Sequence, residues 1–168
     1  MSLSMYHASV PVFLRALANL SAILKKGAED AAARNIDPTV FLTSRLAPDM
    51  FPLTRQVQIA CDGPIRASCR LAGVEIPSNP DTETTFDDLQ ARIDKTVAFL
   101  KTIPEAAFEG SDTREVTIPL PSGALQFKGQ EFLFGFALPN VYFHITSTYL
   151  ILRHNGVALG KQDFLGTR

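Results

Sequence analysis

Two polar side chains interrupt a long apolar run. Asn140 and His144 stand four residues apart in the stretch Gln130 to Asn155, the spacing that puts both on one face of a helix. An imidazole titrates near neutral pH and serves as a general acid, a general base or a metal ligand. An amide beside it adds a hydrogen-bond partner and a weak oxygen ligand. Gln58 and Asp62 form a second pair with the same spacing. With His144 facing the helix that carries them, the four side chains make either a hydrogen-bonded set that leaves no buried polar group unsatisfied or a candidate pocket for a small ligand. The other histidines fit plainer roles, His7 on the surface and His154 at the negative end of a helix. Cys61 and Cys69 lie about 12 Å apart along one expected helix, too far for a disulfide, and read as reduced core thiols. No Ser-His-Asp spacing, phosphate-binding glycine loop or Cys-His cluster is present, so hydrolase, nucleotide-binding and zinc-finger readings have no support.

The elements that must position these groups are mostly helical. Gln130 to Asn155 repeats apolar residues at three-and-four spacing and ends at Gly156, which predicts a helix of roughly 40 Å. From Phe132 to Leu152 it carries no Asp, Glu, Lys or Arg, so most of its surface must be covered. Pro139, Asn140, His144, Thr146, Ser147 and Thr148 in its middle argue for protein rather than lipid as the cover. An apolar face from Ser4 to about Arg34, with Ser4 as cap, predicts a first long helix bent by Pro11. Asp37-Pro38 opens a short helix to about Arg45. Pro52 opens a second long helix that Gly63-Pro64 kinks and Gly73 stops. Val74 to Thr84 reads as an extended crossover, and Thr85 with Asp87 and Asp88 caps a third long helix to about Thr102. Val116, Ile118 and Leu120 alternate with polar residues or proline, as do Leu125 and Phe127 beyond Pro121-Ser122-Gly123, which predicts a hairpin.

The chain is 168 residues long, with 16 basic and 17 acidic side chains. That length suits one domain over residues 1–168 with its own core. The balanced charge removes the footprint of a nucleic-acid binder. No basic segment followed by a long apolar run opens the chain, so a cytoplasmic location is the default expectation.

Four long helices, a crossover between the second and third, and a last helix carrying His-x8-Arg-x2-Gly resemble the DinB/YfiT-like superfamily of metalloenzymes. The sequence is more similar still to a bacterial branch known as a domain of unknown function. The residues that carry the similarity are Met5 to Phe13, Arg45 to Leu53, Arg55 to Asp62 and Arg153 to Val157. The resemblance implies an all-α fold, an antiparallel four-helix bundle with a small hairpin before the last long helix. It also implies the homodimer common in the superfamily. In that superfamily the last helix usually carries His-x3-His followed by Arg-Gly-Gln, and the second helix supplies another histidine to a divalent metal. His144 matches the second histidine of the motif, because Arg153 and Gly156 then match its closing Arg and Gly. Asn140 takes the place of the first, Ile145-Thr146-Ser147 replaces Arg-Gly-Gln, and the second helix offers only Gln56, Gln58 and Asp62. The expectation is therefore a degenerate metal site that binds zinc or nickel weakly through His144 or not at all. The protein is then non-catalytic or binds a small ligand. The alternative is a metal-dependent enzyme of the superfamily, such as a thiol S-transferase using His144.

Overall fold

The computed structural model describes residues 4–166. In chain order the helices are α1 (Val10–Ala33), α2 (Pro38–Thr43), α3 (Leu53–Ala72) and α4 (Phe86–Leu100), followed by a short 3₁₀ turn at Glu105–Phe108. A hairpin of β1 (Glu115–Leu120) and β2 (Gly123–Lys128) comes next. The chain then runs through α5 (Gly129–Phe132), a π-helical turn (Leu133–Ala137), α6 (Leu138–His154) and α7 (Lys161–Leu165). The protein is thus mainly helical with one two-stranded antiparallel sheet. No helix among the described residues is long and apolar enough to cross a membrane.

Most of the expected elements form where their local chemistry places them. Asp37 accepts from the Thr39 backbone N–H ahead of Pro38, and Thr85 and Asp88 cap α4 reciprocally. The hairpin pairs Val116 with Phe127 and Ile118 with Leu125. Because Val116 is its buried contact with the core and the Phe127 ring packs at a tilt against Phe132 and Phe136, the hairpin leans on the start of the last long helical segment.

Two boundaries differ from the sequence reading. The first long helix starts at Val10 rather than Ser4, with Pro11 in its first turn. An interior proline would lose a hydrogen bond and clash with the preceding turn, so the helix begins where neither cost arises. Ser4 instead accepts from the His7 backbone N–H in a separate turn. The second long helix forms as expected, one element from Leu53 to Ala72 with Pro64 inside it. The last helix is interrupted by the π turn, which ends at Ala137, two residues before Pro139 in the first turn of α6. Proline has no N–H to give the ladder, and a wider turn absorbs that break.

α3 sits centrally, packed against α6 on one side and α4 on the other, and α1 touches α4, α6 and α3. Phe13, Leu17, Leu20, Ile23 and Leu24 of α1 are fully buried, as are Leu53, Val57 and Leu71 of α3. Beside this apolar core runs a buried charge cluster. Arg92 of α4, with its side chain only 1% exposed, lies 2.7 Å from Asp62, 2.9 Å from Asp81 and 2.9 Å from Glu83. Its guanidinium also donates to the Pro80 carbonyl. Asp81, Glu83 and Pro80 belong to the crossover, so Arg92 fastens that extended segment to α3 and α4.

Candidate functional site

His144 is buried on α6, 8% exposed. Its Nδ1 lies 2.7 Å from Oε1 of Gln56 on α3. The other end of that amide is fixed independently, since Gln56 Nε2 donates to the Phe51 carbonyl at 3.1 Å. A carbonyl can only accept, so the NH₂ of Gln56 must face Phe51 and its oxygen must face the ring. Nδ1 therefore carries the proton and donates it to Gln56, leaving Nε2 with the lone pair. Among the described residues Nε2 has no hydrogen-bond partner. Burial, and then the nearby Arg55 guanidinium, push the imidazole pKa below its ordinary value of 6.5. The resting state at neutral pH is a neutral ring held in one tautomer.

The expected four-residue set does not converge. Gln58 turns away from His144: its Nε2 donates to Glu83 at 2.9 Å and its oxygen accepts from Arg55 at 3.2 Å. Asp62 accepts from Arg92, Asn79 and Arg66. Gln56 and Gln58 are two residues apart, about 200° around a helix, so only one of them could face α6. Asn140 is half-buried and makes no side-chain hydrogen bond among the described residues. It shares with Asp62 the wall of a cleft between α3 and the segment from α5 to α6.

A signal for Gln56 was present in the sequence. It lies on a stripe with Ala60, Gly63 and Ala67, small residues spaced to let another helix approach. A methyl group on Gly63 would come within 2.8 Å of Val141 on α6, so this stripe is the face that meets the histidine helix.

These donors do not fit the metal centre that the resemblance implies. The set here is one imidazole and an amide oxygen already committed to that imidazole, with no second or third histidine. Amide oxygens are poor ligands for zinc or nickel. No group of three or more His, Cys, Asp or Glu side chains is arranged to hold a metal among the described residues. The thiols add nothing: Cys61 and Cys69 are free and buried, and burial pushes them up to about 12 and about 11.

A mainly helical fold with a hairpin ahead of the last long segment, and a histidine on that segment facing α3, defines a DinB-like protein. Comparison with solved structures agrees. A DinB family member protein from Shewanella denitrificans superposes with a TM-score of 0.91 at 42% identity, covering 98% of this chain and 93% of that one. The profile of the family described as a domain of unknown function, DUF1993, matches residues 5–165, and the chain belongs to that family. No curated protein matches it.

Proposed function

We propose that this protein is a ligand-binding, non-catalytic DinB-like domain, an antiparallel four-helix bundle whose metal centre has been replaced by an amide–imidazole pair. The observation that carries this reading is the bond between His144 Nδ1 and Gln56, with the far side of the amide tied to Phe51. An amide locked in that way satisfies Nδ1 of the buried ring without metal. The test is metal analysis of the purified protein, with melting of wild type and His144→Ala in the presence and absence of chelator. Zinc or nickel well below one equivalent, with chelator inert, is the expected result. Stoichiometric metal that disappears in His144→Ala would sink the reading.

One observation favours a second reading as an enzyme. The free lone pair on Nε2 of a ring that burial keeps neutral suits a general base. In that case a thiol-conjugation assay with added zinc or nickel shows turnover that His144→Ala abolishes.

A homodimer remains part of the proposal. It is supported by Phe143 and Leu150, which lie two turns apart on α6 and are 56% and 43% exposed. Sedimentation that reports only monomer at high micromolar concentration would remove it.

A further inference from the structure

The cleft that holds Asn140 and Asp62 carries an unbalanced charge. Arg55, Arg66 and Arg70 of α3 line it, against the single carboxylate of Asp62. Asp62 is largely spoken for, since Arg92 and Asn79 take its Oδ1 and Arg66 reaches its Oδ2 at 3.2 Å. Arg55 pairs with Asp81 outside the cleft wall. Arg70 has no carboxylate partner among the described residues, and its bond is a long 3.4 Å contact to the Arg66 backbone carbonyl. Burial and the neighbouring Arg66 both lower its pKa, the mark of a cation set down without its counter-charge.

The rest of the wall is apolar. Ile59 comes from α3, Ile118 from the hairpin, and Phe132 and Phe136 from the last helical segment. Phe132 and Phe136 stack with centroids 6.0 Å apart, and Phe136 lies within the π turn. Such turns recur at binding sites, because they displace side chains from the regular helical face. The cavity is about 170 Å³, smaller than the roughly 300–1,000 Å³ of pockets for drug-sized molecules. The unpartnered Asn140 amide adds a donor and an acceptor on the same wall.

We propose that this cleft binds a small carboxylate with an apolar, aromatic or branched body. Its oxygens sit between Arg66 and Arg70, and its body lies against Phe132, Phe136 and Ile118. A planar guanidinium matches a carboxylate with two parallel hydrogen bonds, which gives orientation as well as attraction. A free inorganic anion would meet the same charges and leave the apolar wall wet. The assignment names the ligand class for the ligand-binding reading and rests on it.

Phenylacetate, acetate and inorganic phosphate are suitable probes, titrated into the full chain and followed by amide NMR. The expected result is saturable shifts at Ala67, Ala137 and Asn140 with phenylacetate, and much weaker binding of acetate and phosphate. Loss of one charge-assisted contact in Arg70→Gln weakens phenylacetate roughly ten- to a hundredfold, and Arg70→Lys retains part of the affinity. Arg66 is 58% exposed, so Arg66→Gln decides the matter if the Arg70 variants fail to fold. No saturation with phenylacetate overturns the assignment, as does unchanged affinity in the folded arginine variants. Acetate and phosphate binding as tightly as phenylacetate overturns it too, leaving only an oxyanion patch. Metal analysis of the same sample separates the two claims. Metal-free protein that ignores phenylacetate removes the cleft assignment and leaves the His144 reading in place. Metal-loaded protein that still saturates with phenylacetate does the reverse.

Discussion

Nδ1 of His144 donates to Oε1 of Gln56 across 2.7 Å, and the Gln56 amide is turned by the Phe51 carbonyl behind it. The relay runs one way only, because the Phe51 carbonyl can accept but never donate. Gln56→Leu keeps the volume and leaves both the ring N–H and the carbonyl without partners, at a cost of about 1–3 kcal/mol. Urea unfolding reads this directly. Gln56→Glu places a carboxylate against Nδ1 and raises the imidazole pKa above its wild-type value, which NMR titration of the ring protons follows. A pKa that does not move in Gln56→Glu would show that the two side chains are not in contact in solution.

The lowered pKa of His144 has a definite sign in stability. Between its depressed folded value and the ordinary 6.5, the unfolded chain takes up a proton that the folded chain refuses. Stability from this residue is therefore full above 6.5, falls as pH drops through the window, and levels off below the folded pKa. His144→Asn supplies an N–H₂ to Gln56 that does not titrate, so its stability loses less between pH 7 and pH 5 than that of wild type. Arg55→Gln removes a repelling charge and raises the ring pKa. A wild-type midpoint at or above 6.5 would refute this account.

Arg92 is the cation that a cluster of crossover carboxylates depends on. Burial alone would push the Glu83 carboxyl up, but hydrogen bonds from Arg92 and Gln58 outweigh it and leave Glu83 below the usual carboxylate range. Arg92→Met strands those carboxylates and costs about 3–5 kcal/mol. Hydrogen exchange should quicken first in Val74 to Thr84, the segment that Arg92 holds. Uniform exchange along the chain would mean that Arg92 supports the whole fold rather than the crossover.

Gly129 opens α5 with no space for a side chain. A Cβ there would lie 1.7 Å from the Ser111 carbonyl oxygen, a backbone atom that cannot swing aside. Gly129→Ala should cost on the order of 3 kcal/mol or more, and thermal melting would detect it. By contrast Ser111 Oγ is buried without a partner among the described residues, so Ser111→Ala should be neutral or mildly stabilising. A small effect of Gly129→Ala would indicate that the loop before the hairpin yields readily.

Apolar spacing located the four long helical segments because each buries one broad face, and the caps at Asp37 and Thr85 are local chemistry that needs no partner. The site was harder to read. α3 is covered on two sides, so its polar residues point at different neighbours, and Gln58 and Asp62 serve the α4 and crossover side rather than His144. Periodicity reports that a face is buried and is silent on what buries it. The partner helix had to be known before Gln56 could be chosen over Gln58. The carboxylates that complete the Arg92 cluster come from an extended segment without period, where no pattern could announce them.

The π turn at Leu133–Ala137 also bears on how this chain tolerates change in length. Such a turn holds one residue more than an α-helical turn, so it can act as a slack link in an otherwise taut ladder. Removing one residue within it lets the ladder close into ordinary α geometry, whereas the same deletion in the middle of α3 would throw every downstream side chain about 100° out of phase. Continuity of the helix and the register between Phe132 and Asn140 survive the first deletion, but Phe136, inside the turn, is re-aimed. A one-residue deletion at Gly135 should thus yield a folded protein in which Phe132 and Asn140 keep their places while Phe136 leaves the aromatic wall, separating the inheritance of the fold from the inheritance of the pocket.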